Sequence, residues 1–178
     1  MGRADQQLRL IAEAVEVAET LGVTVWLRGG WAVDFFLGEI TRDHEDIDWF
    51  LWADDASALA GGLLRHGYQP VPGPPPDLQL DFAKDGLENS FTLLGRDAAD
   101  RAVVAGGLWA GAPWPEGMLD AGPGRIGGLQ CAIVSPQAQI EIKRMMPSWD
   151  PSRPRRTKDA EDIARLEAAL RVRGERSE

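Results

Sequence analysis

Gly29-Gly30-Trp31-Ala32-Val33-Asp34 and Thr41-Arg42-Asp43-His44-Glu45-Asp46-Ile47-Asp48 set a glycine pair and two alternating carboxylates close together in the chain. The apolar run Val23-Thr24-Val25-Trp26-Leu27 leads into the glycines, which places them where a strand stops and a short helix begins. A glycine turn there lets backbone N–H groups approach a phosphate, and the helix N-terminus adds partial positive charge. Asp46 and Asp48 fall on a strand-like run, so strand periodicity turns both carboxylates to one face. Converging carboxylates repel unless a cation lies between them, and hard oxygen ligands suit Mg²⁺. A phosphate cradle beside a two-carboxylate metal site is equipment for chemistry on a nucleoside triphosphate.

The elements that must position these groups read clearly in places. Leu8, Leu10, Ile11, Ala14, Val15, Ala18 and Leu21 recur at helical spacing, with Gly22 as the stop. The pattern then predicts a strand over 23–28, a short helix over 31–37 ending near Gly38, and a strand over 46–52. Asp54 or Asp55 is placed to cap a helix running to about His66, with Leu59, Leu63 and Leu64 as its buried stripe. Val71-Pro72-Gly73-Pro74-Pro75-Pro76 must be a surface loop. A hairpin follows: residues 78–83 alternate, Asp85-Gly86 supplies a two-residue turn, and 87–94 mostly alternate again. That turn sets Ala83 opposite Glu88 and Asp81 opposite Ser90. Leu78, Leu80, Phe82, Leu87, Phe91 and Leu93 share the apolar side, where Asn89 is the exception.

Residues 101–134 hold short strand-like pieces broken by glycines, and the segment from Gly95 to Leu129 is expected to build part of an acceptor site. Two helices close the chain, one from Ser135-Pro136 to about Met146 and one from about Lys158 to Arg173. Pro147 to Arg156 reads as a proline- and arginine-rich connector. The element order predicts α/β (or α+β) architecture with a mixed sheet flanked by helices, in one domain over 1–178 with the C-terminal helices 136–173 packed on it.

Composition bounds the partners. The 178 residues suit a single domain with a substantial core, and the 44% apolar fraction is ordinary for a soluble protein. One cysteine, Cys131, excludes an intramolecular disulfide and a cysteine-rich zinc site. No signal peptide or membrane span is read, so a cytoplasmic location without membrane association is expected. The net charge of −9 argues against a nucleic-acid partner and is compatible with a cationic small substrate, although solubility alone explains it as well.

The motif pair over residues 23–50 resembles the signature of the aminoglycoside and lincosamide nucleotidyltransferases, members of the polymerase-beta-like nucleotidyltransferase superfamily. A looser likeness covers Ser135-Pro136 through Lys143 and then Arg155-Arg156-Thr157-Lys158-Asp159-Ala160-Glu161-Asp162. The resemblance implies a mixed twisted sheet and a Mg²⁺-dependent transfer of AMP from ATP to a hydroxyl of a small molecule. The acceptor it implies is an aminoglycoside-like or lincosamide-like antibiotic, cationic or sugar-containing. Two Mg²⁺ ions would serve, held by Asp46 and Asp48, with Gly29 and Gly30 on the phosphates. A third carboxylate usually completes such a site. The aligned position falls near Asn89 or Ser90, which leaves Glu88 as the preferred ligand and base and Asp81 as its rival.

Arg42, His44 and Lys143 resemble nucleotide-binding positions; as plain surface groups they would be solvated charges. Arg155, Arg156 and Lys158 could contact nucleotide or form a solvated connector paired with Asp159 and Asp162. Asp34 could support the site, face a substrate as Asp81 could, or be a helix surface charge. Trp31, Trp49 and Trp52 read as core or pocket wall. Two alternatives keep the same residues: the same chemistry on a protein or RNA acceptor of the toxin–antitoxin kind, and a catalytically silent nucleotide-binding module.

Overall fold

The computed structural model describes residues 2–149, 152 and 156–176. Helix α1 (Arg3–Thr20) buries Leu10, Ile11, Ala14, Val17 and Ala18, and the chain turns at Gly22 with φ +69°. Strand β1 (Val25–Arg28) passes directly into helix α2 (Gly29–Leu37), which stops at the left-handed Gly38 as expected. Strand β2 (Ile47–Trp52) lies antiparallel to β1 and continues through a one-turn segment, Ala53–Asp55, into α3 (Ala56–Arg65).

Helix α3 departs from expectation on two points. Asp55 occupies the N-cap position without a side-chain capping bond. Leu64 is exposed while Leu59 and Leu63 are buried. Leu59 and Leu63 stand four apart on one face, and Leu64 is turned a further 100° or so, away from the sheet. Gly62 lets α3 approach α1 closely; a Cβ there would meet Val17 and Leu21 at 2.8 Å.

The hairpin of β4 (Gln79–Lys84) and β5 (Leu87–Arg96) has the expected register, with Ala83 opposite Glu88 and Asp81 opposite Ser90. Asp85 and Gly86 both take positive φ, +54° and +75°, the geometry of a tight primed turn. Asn89, the polar exception on the apolar side, is buried because its Oδ1 accepts a 3.0 Å bond from Trp49 Nε1. Trp49 also stacks on Phe91 across the parallel β2–β5 pair, at 5.8 Å between centroids.

The sheet order is β1-β2-β5-β4-β3, where β3 is the short Gln69–Pro70 and β6 (Ala102–Val104) pairs with the far end of β5. Beyond β1 the edge is extended by residues 132–134: Leu27 N–H donates to Ala132 O and Val134 N–H to Leu27 O, each at 2.9 Å. A separate two-stranded sheet joins β7 (Gly124–Ile126) and β8 (Leu129–Cys131).

One sheet face carries the main core, with Leu27, Ile47, Trp49, Phe91, Leu59, Leu63 and Trp31. The other face carries a smaller cluster around Phe50, Leu94, Met118, Val134 and Ile142. Trp31 and Trp49 are core, as expected, while half-buried Trp52 packs edge-on against Trp26 at 6.3 Å.

Helix α4 (Pro136–Trp149) is capped by Ser135, whose Oγ accepts the Ala138 N–H at 3.2 Å. It runs three residues past the expected end at Met146, so the connector begins later than Pro147. Helix α5 (Thr157–Glu175) buries Leu166 and packs on α2 and α4. Arg155 lies outside the described residues. No described helix is long and apolar enough to cross a membrane.

Candidate nucleotide-binding cleft

Strand pairing sets one polar row across the sheet: Arg28 beside Asp48, Asp48 beside Ser90, and Ser90 beside Asp81. Asp46 precedes β2 and is exposed at the same end. Gly29 turns the chain from β1 into α2 with φ +65°, and a Cβ there would stand 3.0 Å from Asp48 Oδ2. The α2 N-terminus thus meets the Asp48 carboxylate with nothing larger than hydrogen between them. A Cβ at Gly30 would collide with the His44 ring and the Arg42 guanidinium. Both glycines are required by the close approach of side chains, Asp48 at Gly29 and His44 with Arg42 at Gly30.

A cleft of about 430 Å³ opens over this point. Gly29, Gly30, Asp46, Asp48, Ser90 and His44 line it, together with Lys143 of α4, Arg156 at the α5 N-cap, and Lys158 and Asp159 of α5. The expected segment 95–129 contributes none of the described lining. It packs instead through Trp114, whose ring meets Phe50 at 5.0 Å edge-on and lies 5.7 Å from the Arg28 guanidinium.

His44 is held from three directions. Its Nε2 lies 2.6 Å from Asp34 Oδ2, and Thr41 Oγ1 donates to the other Asp34 oxygen at 2.6 Å. An ionised carboxylate only accepts, so Nε2 carries the proton and Nδ1 is left to accept from Arg42 Nη1 at 3.1 Å. Arg3 Nε and Gln7 Nε2 of α1 donate to the His44 carbonyl at 3.1 and 3.3 Å. Asp34 is fully buried and supports His44 from beneath; the expectation that it contacts a substrate is corrected.

Arg42, which also lines the cleft, is tied to α5, where its Nη2 donates to Asp162 Oδ2 at 3.0 Å. Burial works against the guanidinium charge, but the Asp162 bond and charge outweigh it and hold Arg42 above the ordinary arginine value. Lys143 from α4 pairs with Asp159 at 3.3 Å and Asp162 at 3.2 Å. Arg156 pairs with Asp159 at 3.0 Å, as its connector reading expected, and also lines the cleft.

The expected trio of Asp46, Asp48 and Glu88 is not assembled. Among the described residues no three His, Cys, Asp or Glu side chains are arranged to hold a metal ion. The parallel register puts Ser90 beside Asp48, and Glu88 lies one strand repeat away, roughly 7 Å, exposed and outside the cleft lining. Asp81 adjoins Ser90 but is covered by Gly73 of the proline loop and accepts from Gln79 Nε2 at 2.7 Å. It does not line the cleft either. Of the expected carboxylates, Asp46 and Asp48 line the cleft among the described residues, and Glu88 and Asp81 do not.

Residues 10–73, which include the glycine and aspartate motifs, match the family model of aminoglycoside-2''-adenylyltransferase. The structure superposes on that of ANT(2'')-Ia in complex with adenylyl-2''-tobramycin with a TM-score of 0.75, covering 93% of this chain and 90% of that one at 22% identity. The chain has the polymerase-beta-like nucleotidyltransferase fold. A second match to this nucleotidyltransferase fold is the lincomycin-bound lincosamide antibiotic adenylyltransferase LnuA, with a TM-score of 0.67 and 19% identity over 86% of this chain and 91% of that one.

In sequence, a 2''-aminoglycoside nucleotidyltransferase of Klebsiella pneumoniae is 43% identical over 42 residues, and a lincosamide resistance protein of Staphylococcus haemolyticus is 36% identical over 55. These alignments span 24% and 34% of those relatives. The resemblance read from residues 23–50 is thus found by model, sequence and structure alike.

Proposed function

We propose that the protein is a Mg²⁺-dependent adenylyltransferase that moves AMP from ATP to a hydroxyl of a small-molecule antibiotic, aminoglycoside-like or lincosamide-like, in the cytoplasm. The observation that carries this reading is the meeting of the α2 N-terminus at Gly29 with Asp48, a phosphate cradle against a carboxylate. Gly29 and Gly30 expose N–H groups, and Arg42, Lys143 and Arg156 face the same space with positive charge.

Asp46 and Asp48 fit Mg²⁺, which is commonly held by one or two carboxylates together with substrate phosphates. Bound there, the ion would lower the pKa of the acceptor hydroxyl and neutralise the departing pyrophosphate. The chain's own contribution is positioning: the cations orient the triphosphate, and the Asp34–His44 bond keeps Arg42 over Gly30. Arg28, fixed by a 3.0 Å bond to Thr92 Oγ1 and stacked 4.3 Å over Phe50, forms a rigid wall for the acceptor. The adenylyl-2''-tobramycin and lincomycin bound in those structures support an antibiotic acceptor.

Pyrophosphate release from ATP and Mg²⁺ with a panel of aminoglycosides and lincosamides tests the proposal, and Asp46→Asn or Asp48→Asn should abolish it. Release unaffected by both substitutions would overturn the metal-site assignment. One observation favours a second reading: a serine, Ser90, stands beside Asp48. A silent nucleotide-binding module would bind ATP and release no pyrophosphate with any acceptor.

A further inference from the structure

Asp159 and Asp162 stand three residues apart on α5 and therefore share a face. Both reach the same lysine: Lys143 Nζ is 3.3 Å from Asp159 Oδ1 and 3.2 Å from Asp162 Oδ2. Their settings differ sharply. The Asp162 side chain is 1% exposed, also takes Arg42 at 3.0 Å, and lies 3.7 Å from Arg165 Nη1. The Asp159 side chain is 20% exposed, lines the cleft, and takes Arg156 Nε at 3.0 Å and Nη2 at 3.4 Å.

These settings decide what each carboxylate can give up. Releasing the partners of Asp162 would strand a buried charge, which is strongly unfavourable. Releasing those of Asp159 exposes a carboxylate to water at the cleft wall, at small cost. We propose that the two α5 carboxylates divide the work of the cleft: Asp162 is a positioning residue that fixes Arg42 and Lys143, and Asp159 is a counter-anion that a nucleotide phosphate displaces from Lys143 and Arg156.

The proposal rests on the nucleotide reading of the cleft. It accounts for the pairing of the cleft-lining Lys143 and Arg156 with an acid that faces the same space. The Asp159 carboxyl is held below the ordinary carboxylate range because Arg156 and Lys143 outweigh the opposing effect of burial. The competitor is therefore fully charged at neutral pH.

Binding of a non-hydrolysable ATP analogue with Mg²⁺ to the full chain, read by calorimetry alongside a thermal melt, tests this. Asp159→Asn should tighten binding about two- to fivefold, the scale of a partly exposed ion pair. Asp162→Asn should weaken it about tenfold or more. In a Lys143→Met, Arg156→Met background the Asp159→Asn gain should vanish, because nothing is left to compete for. Weaker binding by both aspartate variants would mean that both are structural and would overturn the proposal. So would a gain that persists in that background, since it would be a through-space charge effect. Should Asp162→Asn lose its fold, the sign at Asp159 alone decides. Failure of the unaltered chain to bind the analogue would overturn the nucleotide reading itself, whereas binding with the wrong signs would overturn only this inference.

Discussion

Replacing Gly30 with alanine sets helix propensity against site geometry. Gly30 lies in the first turn of α2 without positive φ, so alanine fits the backbone and gains at most about 1 kcal/mol of helix stability. The added methyl would overlap the His44 ring and the Arg42 guanidinium. The guanidinium can swing away, but His44 is buried and tied to Asp34 at 2.6 Å, and shifting it costs about 1–3 kcal/mol. The net effect on stability falls between roughly zero and 3 kcal/mol, a fall in Tm of no more than about 12 °C for a domain of this size. Nucleotide handling suffers more. A displaced Arg42 forfeits a charged hydrogen bond of about 1.5–3 kcal/mol, which corresponds to a rise in KM for ATP of roughly ten- to hundredfold. Pyrophosphate-release kinetics and a thermal melt on the same preparation measure both. A KM within twofold of the unaltered protein would refute the claim that Gly30 exists to admit Arg42 and His44.

Three further outcomes follow from particular side chains. Burial pushes the Cys131 thiol up to about 12, so a thiol reagent at pH 8 should label it orders of magnitude faster in denaturant than in the native protein. Comparable rates would place Cys131 at the surface. Asp159 has a depressed folded-state pKa, so its ion pairs add stability above the ordinary value of 3.8 that is lost as pH falls below it. Melts from pH 6 down to pH 2 should therefore show a steeper decline for the unaltered protein than for Asp159→Asn, and parallel declines would contradict the pairing. Ser90→Asp sets a third carboxylate beside Asp48 and should raise the rate of pyrophosphate release at least tenfold, while Glu88→Gln should change it less than twofold. A large loss from Glu88→Gln would show that Glu88 reaches the metal after all.

What could be read from the chain was local. The Asp85-Gly86 turn determines the hairpin register because a two-residue loop leaves no choice of pairing, and Ser90 was thereby aligned with Asp81. The glycine and aspartate motifs were legible because they are short, contiguous and tied to strand periodicity. Contacts spanning the chain were not. Arg42 and Asp162 are 120 residues apart, and nothing in the neighbourhood of either announces the other. Asp162 read as a helix-surface partner of the basic connector residues, although its spacing from Asp159 does put both on one helix face.

The roles of Arg3 and Gln7 in holding the His44 carbonyl carried no signal, since both sit in an ordinary amphipathic helix. Asp34 followed the glycine motif and so looked like a site residue; burial makes it a support. Asn89 broke the hairpin's alternation, and its reason, Trp49 Nε1, lies on a neighbouring strand. Glu88 shared the right face, but only the β2–β5 register showed that it stands one repeat from Asp48.

The central claim is that Asp48, with Asp46, faces the phosphate cradle at Gly29 to support nucleotidyl transfer. Its most direct test is Mg²⁺-dependent pyrophosphate release with an antibiotic acceptor, comparing the unaltered protein with a folded Asp48→Asn variant. The account predicts turnover in the first and a loss of at least a thousandfold in the second, with the melting temperature little changed. Equal turnover in the two would contradict it.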